Sequence, residues 1–190
     1  MKKDKKSYSY NNIICDSQGE VEFLMWCEEL KQNGYIIDYK RGETKLLSNS
    51  VYNTYITQLK TKTKEQSETI LLKHEYSWDF TIEWSDLGIK YFANRFGEKW
   101  TKPFLINSKS MSFIENKPSF DFGNMTRLVT LNVKWMWEKY GIFIQVVKND
   151  DVFKETFVPK ERLFNKKGEK RAFKFKPLTL EEYINKIKLL

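Results

Sequence analysis

Apolar positions change their spacing several times along the chain. Phe23, Leu24, Cys27 and Leu30 recur at helical intervals. Asp16 or Ser17 can cap that helix, which runs to about Asn33 with Gly34 ending it. From Tyr35 to Trp84 the pattern turns β-like. Residues 35–47 and 51–61 carry β-branched and aromatic side chains, and the polar stretch 60–67 predicts a turn between long strands. The sharpest alternation runs from Glu68 or Thr69 to Trp84. It sets Tyr76, Trp78, Phe80, Ile82 and Trp84 on one face and Ser77, Asp79, Thr81 and Glu83 on the other.

Residues 85–110 are less regular. Asp86-Leu87-Gly88 predicts a turn, Tyr91, Phe92 and Phe96 suit a short helix or an extended segment, and Lys102-Pro103 breaks the pattern. The next strand, 112–118, points Phe113, Glu115 and Lys117 one way and Ile114 and Asn116 the other. After a loop at 120–123, Asn124 can cap a helix to about Tyr140, with Met125, Leu128, Asn132, Trp135 and Met136 on one face. Gly141 ends it, and 142–147 is an apolar run of strand length. A turn at Asn149-Asp150-Asp151 precedes 153–159. Thr179 caps a last helix striped by Leu180, Tyr183, Ile184 and Ile187. The order helix, three strands, helix, strand predicts an α/β chain of α+β type, a mixed sheet flanked by helices.

Composition narrows the partners. The 190 residues suffice for one domain with a sizeable core, and 16% of them are aromatic, which argues against a disordered chain. A formal charge of +8 favours a polyanion, nucleic acid first. No apolar run is long enough to span a bilayer, and the basic start Met1-Lys2-Lys3-Asp4-Lys5-Lys6 is not followed by the apolar segment of a secretion signal. A cytoplasmic location is therefore the expectation. Between Lys160 and Lys176 eight Lys or Arg oppose Glu161 and Glu169, a net of +6. Within that strip Lys166, Lys167, Lys170, Arg171, Lys174 and Lys176 are candidate phosphate contacts. Phe173 and Phe175 interleave with them. The alternative for the strip is a solvated hairpin.

Two cysteines, Cys15 and Cys27, and one histidine, His74, leave little for a thiolate or imidazole metal site. Any metal would be held mainly by oxygen donors, which suits magnesium or manganese. Candidate donors are Asp79 on its strand, Glu115 beside Lys117, and Glu20 on the inward face of the first helix. A first-turn glutamate is equally explained by helix capping or the helix dipole. Glu22 lies on another face and is a solvated residue.

These residues resemble the PD-(D/E)xK nuclease superfamily, with its restriction-endonuclease-like αβββαβ core, and within it the phage-type endonucleases that include Holliday junction resolvases. Asp16-Ser17-Gln18-Gly19-Glu20 is similar to the Ser-x-x-Glu start of those proteins, and the segment from Leu71 to Phe80 to their Tyr-x-x-Asp-Phe strand. Glu115-Asn116-Lys117 matches E-x-K. The helix ending Trp137-Glu138-Lys139-Tyr140-Gly141 and the segment Phe157-Val158-Pro159 also fit. Trp78 stands where the family has proline, and the interval from Asp79 to Glu115 is long. The resemblance covers residues 12–165, with 166–190 a basic segment and helix packed on or extending that core.

The resemblance implies a magnesium- or manganese-dependent endodeoxyribonuclease acting on branched or duplex DNA. Asp79, Glu115 and the backbone carbonyl of Asn116 would hold the metal. Glu20 would support a second ion or orient a water, and Lys117 would position or activate the attacking water. A homodimer is one arrangement it suggests, with residues 86–110 or the last helix as the face. The rival reading is a nucleic-acid-binding protein without catalysis, or a phage structural or packaging protein.

Overall fold

The computed structural model describes residues 8–99, 101–117 and 125–189. The basic N-terminus 1–6, Pro118, the loop 120–123 and the Asn124 cap lie outside those residues. A hairpin of β1 (Tyr8–Tyr10) and β2 (Ile13–Cys15) leads into α1 (Gln18–Gln32). The start of α1 is dictated locally, because Ser17 Oγ accepts from the Glu20 N–H at 3.2 Å. Its end is dictated by Gly34, whose φ of +75° favours glycine. Then follow β3 (Ile36–Arg41), β4 (Thr44–Ser48), β5 (Val51–Gln58), β6 (Thr63–Leu71), β7 (His74–Ser77) and β8 (Phe80–Trp84). The remaining elements are α2 (Asp86–Phe92), β9 (Ala93–Arg95), β10 (Phe104–Ile106), β11 (Met111–Lys117), α3 (Met125–Tyr140), β12 (Ile144–Lys148), α4 (Asn149–Glu155), α5 (Lys160–Leu163) and α6 (Leu180–Lys188).

The central sheet has strand order β12-β11-β8-β3. Its β3/β8 and β8/β11 pairs are antiparallel, while β11 and β12 run parallel with α3 between them in sequence. The fold is thus a mixed α+β arrangement in which the sheet elements and their helices run helix, three strands, helix, strand. On one face, α1 buries Phe23, Leu24, Trp26, Cys27 and Leu30 against Phe80, Ile82, Trp84 and Ile114. Trp26 is the hub, with ring centroids 5.2 Å from Phe104, 5.6 Å from Phe23 and 5.7 Å from Phe157. Leu180, Tyr183 and Ile184 of α6 join the same core. A smaller cluster of Leu47, Tyr76, Trp78, Met136 and Ile144 occupies the other face, beside α3. The buried indoles of Trp26, Trp78 and Trp84 donate to Thr156, Thr81 and Ser112, so none of them is left with an unsatisfied N–H.

The aromatic alternation from Tyr76 to Trp84 is therefore not one strand. It breaks at Trp78 and Asp79, between β7 and β8. Tyr76 and Trp78 pack in the smaller core, and Phe80, Ile82 and Trp84 in the larger one. The cause lies in a close approach from β3's far end: the Gly42 N–H bonds the Asp79 carbonyl at 2.9 Å, and a Cβ on Gly42 would fall 1.9 Å from the Trp78 carbonyl oxygen.

Other expectations also change. Residues 63–67 are strand, part of β6, and the turn shrinks to about Leu59–Lys62. Asp86-Leu87-Gly88 is the first turn of α2, capped by Ser85, and Asn149-Asp150-Asp151 opens α4. On α3, Val129, Asn132 and Met136 are buried whereas Leu128 and Trp135 are exposed. The last helix is as predicted, with a full capping box between Thr179 and Glu182. Among the described residues no helix is long and apolar enough to cross a membrane.

Candidate functional site

The chemistry gathers at one end of the central sheet, where β8 begins and β11 ends. Ile114 pairs with Phe80 across these antiparallel strands, and the Asp79 N–H donates to the Ile114 carbonyl at 3.0 Å. That register sets Asp79 beside Glu115 and Asn116. The Asn116 N–H in turn donates to Asp79 Oδ2 at 2.7 Å, which fixes the carboxylate. Leaving the ladder thus gives Asp79 a backbone donor that a mid-strand position would have spent on pairing.

Glu115 is buried, 4% exposed, and held by two groups. Lys117 Nζ lies 2.5 Å from Oε1, and the Tyr76 hydroxyl donates to Oε2 at 3.0 Å. Alternation along β11 accounts for the first contact, because residues two apart share a face. Burial, then the Glu115 charge, pushes the Tyr76 hydroxyl up beyond the normal tyrosine range, so it stays a donor. Asp79 is pushed up to about 7, chiefly by burial and next by the charge of Glu115. Its bond from Asn116 and the Lys117 charge work the other way, and Glu20 adds a smaller upward push.

Glu20 approaches from α1, on the opposite side of the sheet from Tyr76 and Glu115. It is 6% exposed and bonded at 2.6 Å to Arg41, which lies over the Phe80 ring. Ser17 Oγ and the Asp16 N–H also donate to it, so the capping reading of Glu20 is fulfilled by geometry. Burial opposes the Arg41 charge, but the bond and charge of Glu20 outweigh it and the guanidinium is raised. Glu22, expected at the surface, is mostly covered and lies 2.8 Å from Arg162. The Asn116 side chain donates to Asn149, which itself donates to the Gly19 carbonyl, so the end of β11 is stitched to the start of α1 and α4.

The structure thus joins Asp79 to Asn116 and Glu115 to Lys117, with Asp79 in electrostatic reach of Glu115, Lys117 and Glu20, whereas Glu20 lies across the sheet from Glu115 and is bonded to Arg41 instead. Arg41, Tyr76 and Asn149 join them without having been picked out as site residues. Tyr76 had a sequence signal in the Tyr-x-x-Asp spacing, whereas Arg41 and Asn149 had none beyond their charge and polarity. Among the described residues no group of three or more carboxylate, imidazole or thiol side chains is placed to hold a metal. Two adjacent carboxylates remain, and they are hard oxygen donors. Magnesium is commonly held by one or two carboxylates together with water and substrate phosphate, and Asp79 and Glu115 are the donors of that kind here. A cation there would also relieve the repulsion that raises Asp79.

The six cations of the basic strip, Lys166, Lys167, Lys170, Arg171, Lys174 and Lys176, are all exposed. The strip is not a regular hairpin; its turn is held by a bridge from Phe164 to Lys170 and by the Arg171 N–H, which donates to the Leu163 carbonyl at 2.8 Å. Phe173 and Phe175 are half-buried against the larger core, so they hold the strip down and leave its charges outward. Arg162 lies 5.3 Å from the Phe173 ring, which brings the strip alongside α1. Comparison of the chain with protein-family models, with curated proteins and with solved structures gives no match to any of them.

Proposed function

We propose that the chain is a metal-dependent DNA endonuclease of the PD-(D/E)xK type, with Asp79, Glu115 and Lys117 as its catalytic residues. The observation that carries this reading is the set of groups at the sheet end: half-buried Asp79 just before β8 and buried Glu115 on the neighbouring β11, with one lysine ammonium 2.5 Å from Glu115. The order of elements around the central sheet supports it, as does the outward-facing basic strip.

In this reading Asp79, Glu115 and the Asn116 carbonyl would hold magnesium or manganese, which supplies Lewis-acid stabilisation of charge on the phosphate oxygens. The protein's own groups do the positioning. Asn116 N–H locks the Asp79 rotamer, and Tyr76 fixes the far oxygen of Glu115. Lys117, whose ammonium can only donate, would position the attacking water by hydrogen-bonding its oxygen. Glu20, steadied by Arg41, sets the field on the α1 side and can orient a second water. The narrower part of the proposal is selectivity for branched DNA such as a four-way junction.

The test is cleavage of a four-way junction and of linear duplex of matched sequence, in magnesium and in manganese. Asp79→Ala and Lys117→Ala are expected to abolish cutting while leaving DNA binding largely intact. Wild-type protein that leaves every DNA form whole, or a folded Asp79→Ala protein that cuts at the wild-type rate, overturns the assignment. A second reading, nucleic-acid binding without catalysis, is favoured by the way Arg41 and Lys117 already neutralise Glu20 and Glu115. It predicts binding indifferent to divalent metal and steeply weakened by salt.

A further inference from the structure

Strands β5 and β6 form a two-stranded ribbon that pairs with no other strand among the described residues, and nearly every residue along it is exposed on both faces. An isolated two-stranded ribbon is marginal in water, so both faces being wet calls for an explanation. At about 3.3 Å per residue the ribbon is some 25 Å long. Its end, Leu59-Lys60-Thr61-Lys62-Thr63-Lys64, carries three lysines and no acid. None of Lys60, Lys62 and Lys64 takes part in an ion pair with the described residues.

The root of this ribbon is tied to the site. Lys139 Nζ and the Tyr140 hydroxyl of α3 donate to the Leu46 carbonyl of β4 at 2.8 and 2.6 Å. His74 of β7 lies 2.8 Å from Asn132 of α3. Strand β7 then supplies Tyr76, which holds Glu115, and the chain passes straight into Asp79. Whatever the ribbon grips is therefore held by the β4–β7 hairpin that borders the carboxylates.

We propose that the β5–β6 ribbon is a DNA-engaging arm that lies in the major groove of duplex DNA and delivers the duplex to the Asp79–Glu115 end of the sheet. The B-form major groove is wide enough to take a two-stranded ribbon. The register puts Asn53, Tyr55, Thr57, Lys64, Gln66 and, at the root end, Glu68 on one face, a set of donors and acceptors suited to base edges. The tip lysines answer the phosphates, and the chain's net charge of +8 favours the same partner. The proposal rests on the nuclease reading for its substrate, but the arm can fail or succeed alone.

The test measures binding of the full chain to a fluorescent 30-base-pair duplex in EDTA, across a salt series, with sedimentation of the protein alone. Replacing Lys60, Lys62 and Lys64 with alanine leaves the core untouched. It should make the slope of log K against log salt shallower by about 2 to 3, at about 0.9 for each phosphate no longer neutralised. On duplex RNA of the same sequence the substitution should change that slope by no more than about 1, since the A-form major groove is too deep and narrow for the arm. An unchanged DNA slope overturns the proposal, as does a variant whose only change is a smaller mass in sedimentation, which would make the ribbon a contact between copies. The slope is read without metal. A shallower slope in a chain that never cuts DNA sinks the nuclease reading alone, and an unchanged slope in a chain that does cut sinks the arm alone.

Discussion

Replacing Asp79 with asparagine should stabilise the protein above neutral pH in the absence of divalent metal. Asparagine keeps an acceptor oxygen for the Asn116 N–H and removes the charge that burial and Glu115 disfavour. An unfolded aspartate titrates near 3.9, whereas Asp79 in the fold is pushed up to about 7. The folded state therefore holds the proton more tightly, and between those values it binds more protons than the unfolded chain. The stability that this contributes is fully present below about pH 4 and is lost as pH rises through about 7. At about 1.4 kcal/mol per unit of pKa difference, the loss at pH 8 is at most about 4 kcal/mol. Asp79 is only half-buried and lies near Lys117, so a screened value of roughly 2 kcal/mol is the working figure. For a chain of this length that is about 4–8 °C in melting temperature. Thermal melts of both proteins from pH 4 to 8 in EDTA give the comparison. The two should nearly coincide at pH 4 and diverge with rising pH, and, if the metal-dependent reading holds, magnesium should narrow the gap by stabilising the wild type alone. A variant no more stable than wild type at pH 8, or a gap that does not grow with pH, would refute the account of Asp79 as a carboxylate whose charge the fold disfavours.

Arg41→Met should cost about 2–3 kcal/mol, because Glu20 stays buried and loses its 2.6 Å partner while keeping only its contacts to Ser17 and Asp16; urea unfolding at pH 7 checks it, and an unchanged midpoint contradicts it. Tyr76→Phe should change stability by no more than about 1.5 kcal/mol. If the nuclease reading holds, it should lower kcat by about tenfold with DNA affinity unchanged, because it removes only the clamp on Glu115; steady-state cleavage alongside anisotropy binding separates the two effects.

Caps and alternation were readable from the chain because both are local. Ser17 and Gly34 bound α1, Thr179 opens α6, and the two-residue period of β11 puts Lys117 on the Glu115 side without knowledge of any other strand. The break at Asp79 was hidden because the aromatic alternation continues across it, and only the approach of Gly42 from a neighbouring segment shows where the face changes. The ribbon strand β6 was hidden for the opposite reason. A strand wet on both faces has no apolar period, so 63–67 looks like a loop. Arg41 reaches Glu20 across 21 positions, and Asn149 reaches Gly19 across 130, separations that no spacing rule spans. Trp135 and Leu128 fit the helical period yet face outward, since the core beside α3 is small and filled by Met136, Ile144 and Trp78.

The switch of sides at Trp78 has an evolutionary corollary. Losing or gaining one amino acid between Ser77 and Phe80 would invert the layer that the rings on one side of the change enter, emptying one of the two hydrophobic clusters. Drift in length is thereby barred beside Asp79, whereas the ribbon can lengthen or shorten without touching either layer. Descendants of this chain should vary freely in how far they reach and hardly at all in where Asp79 stands.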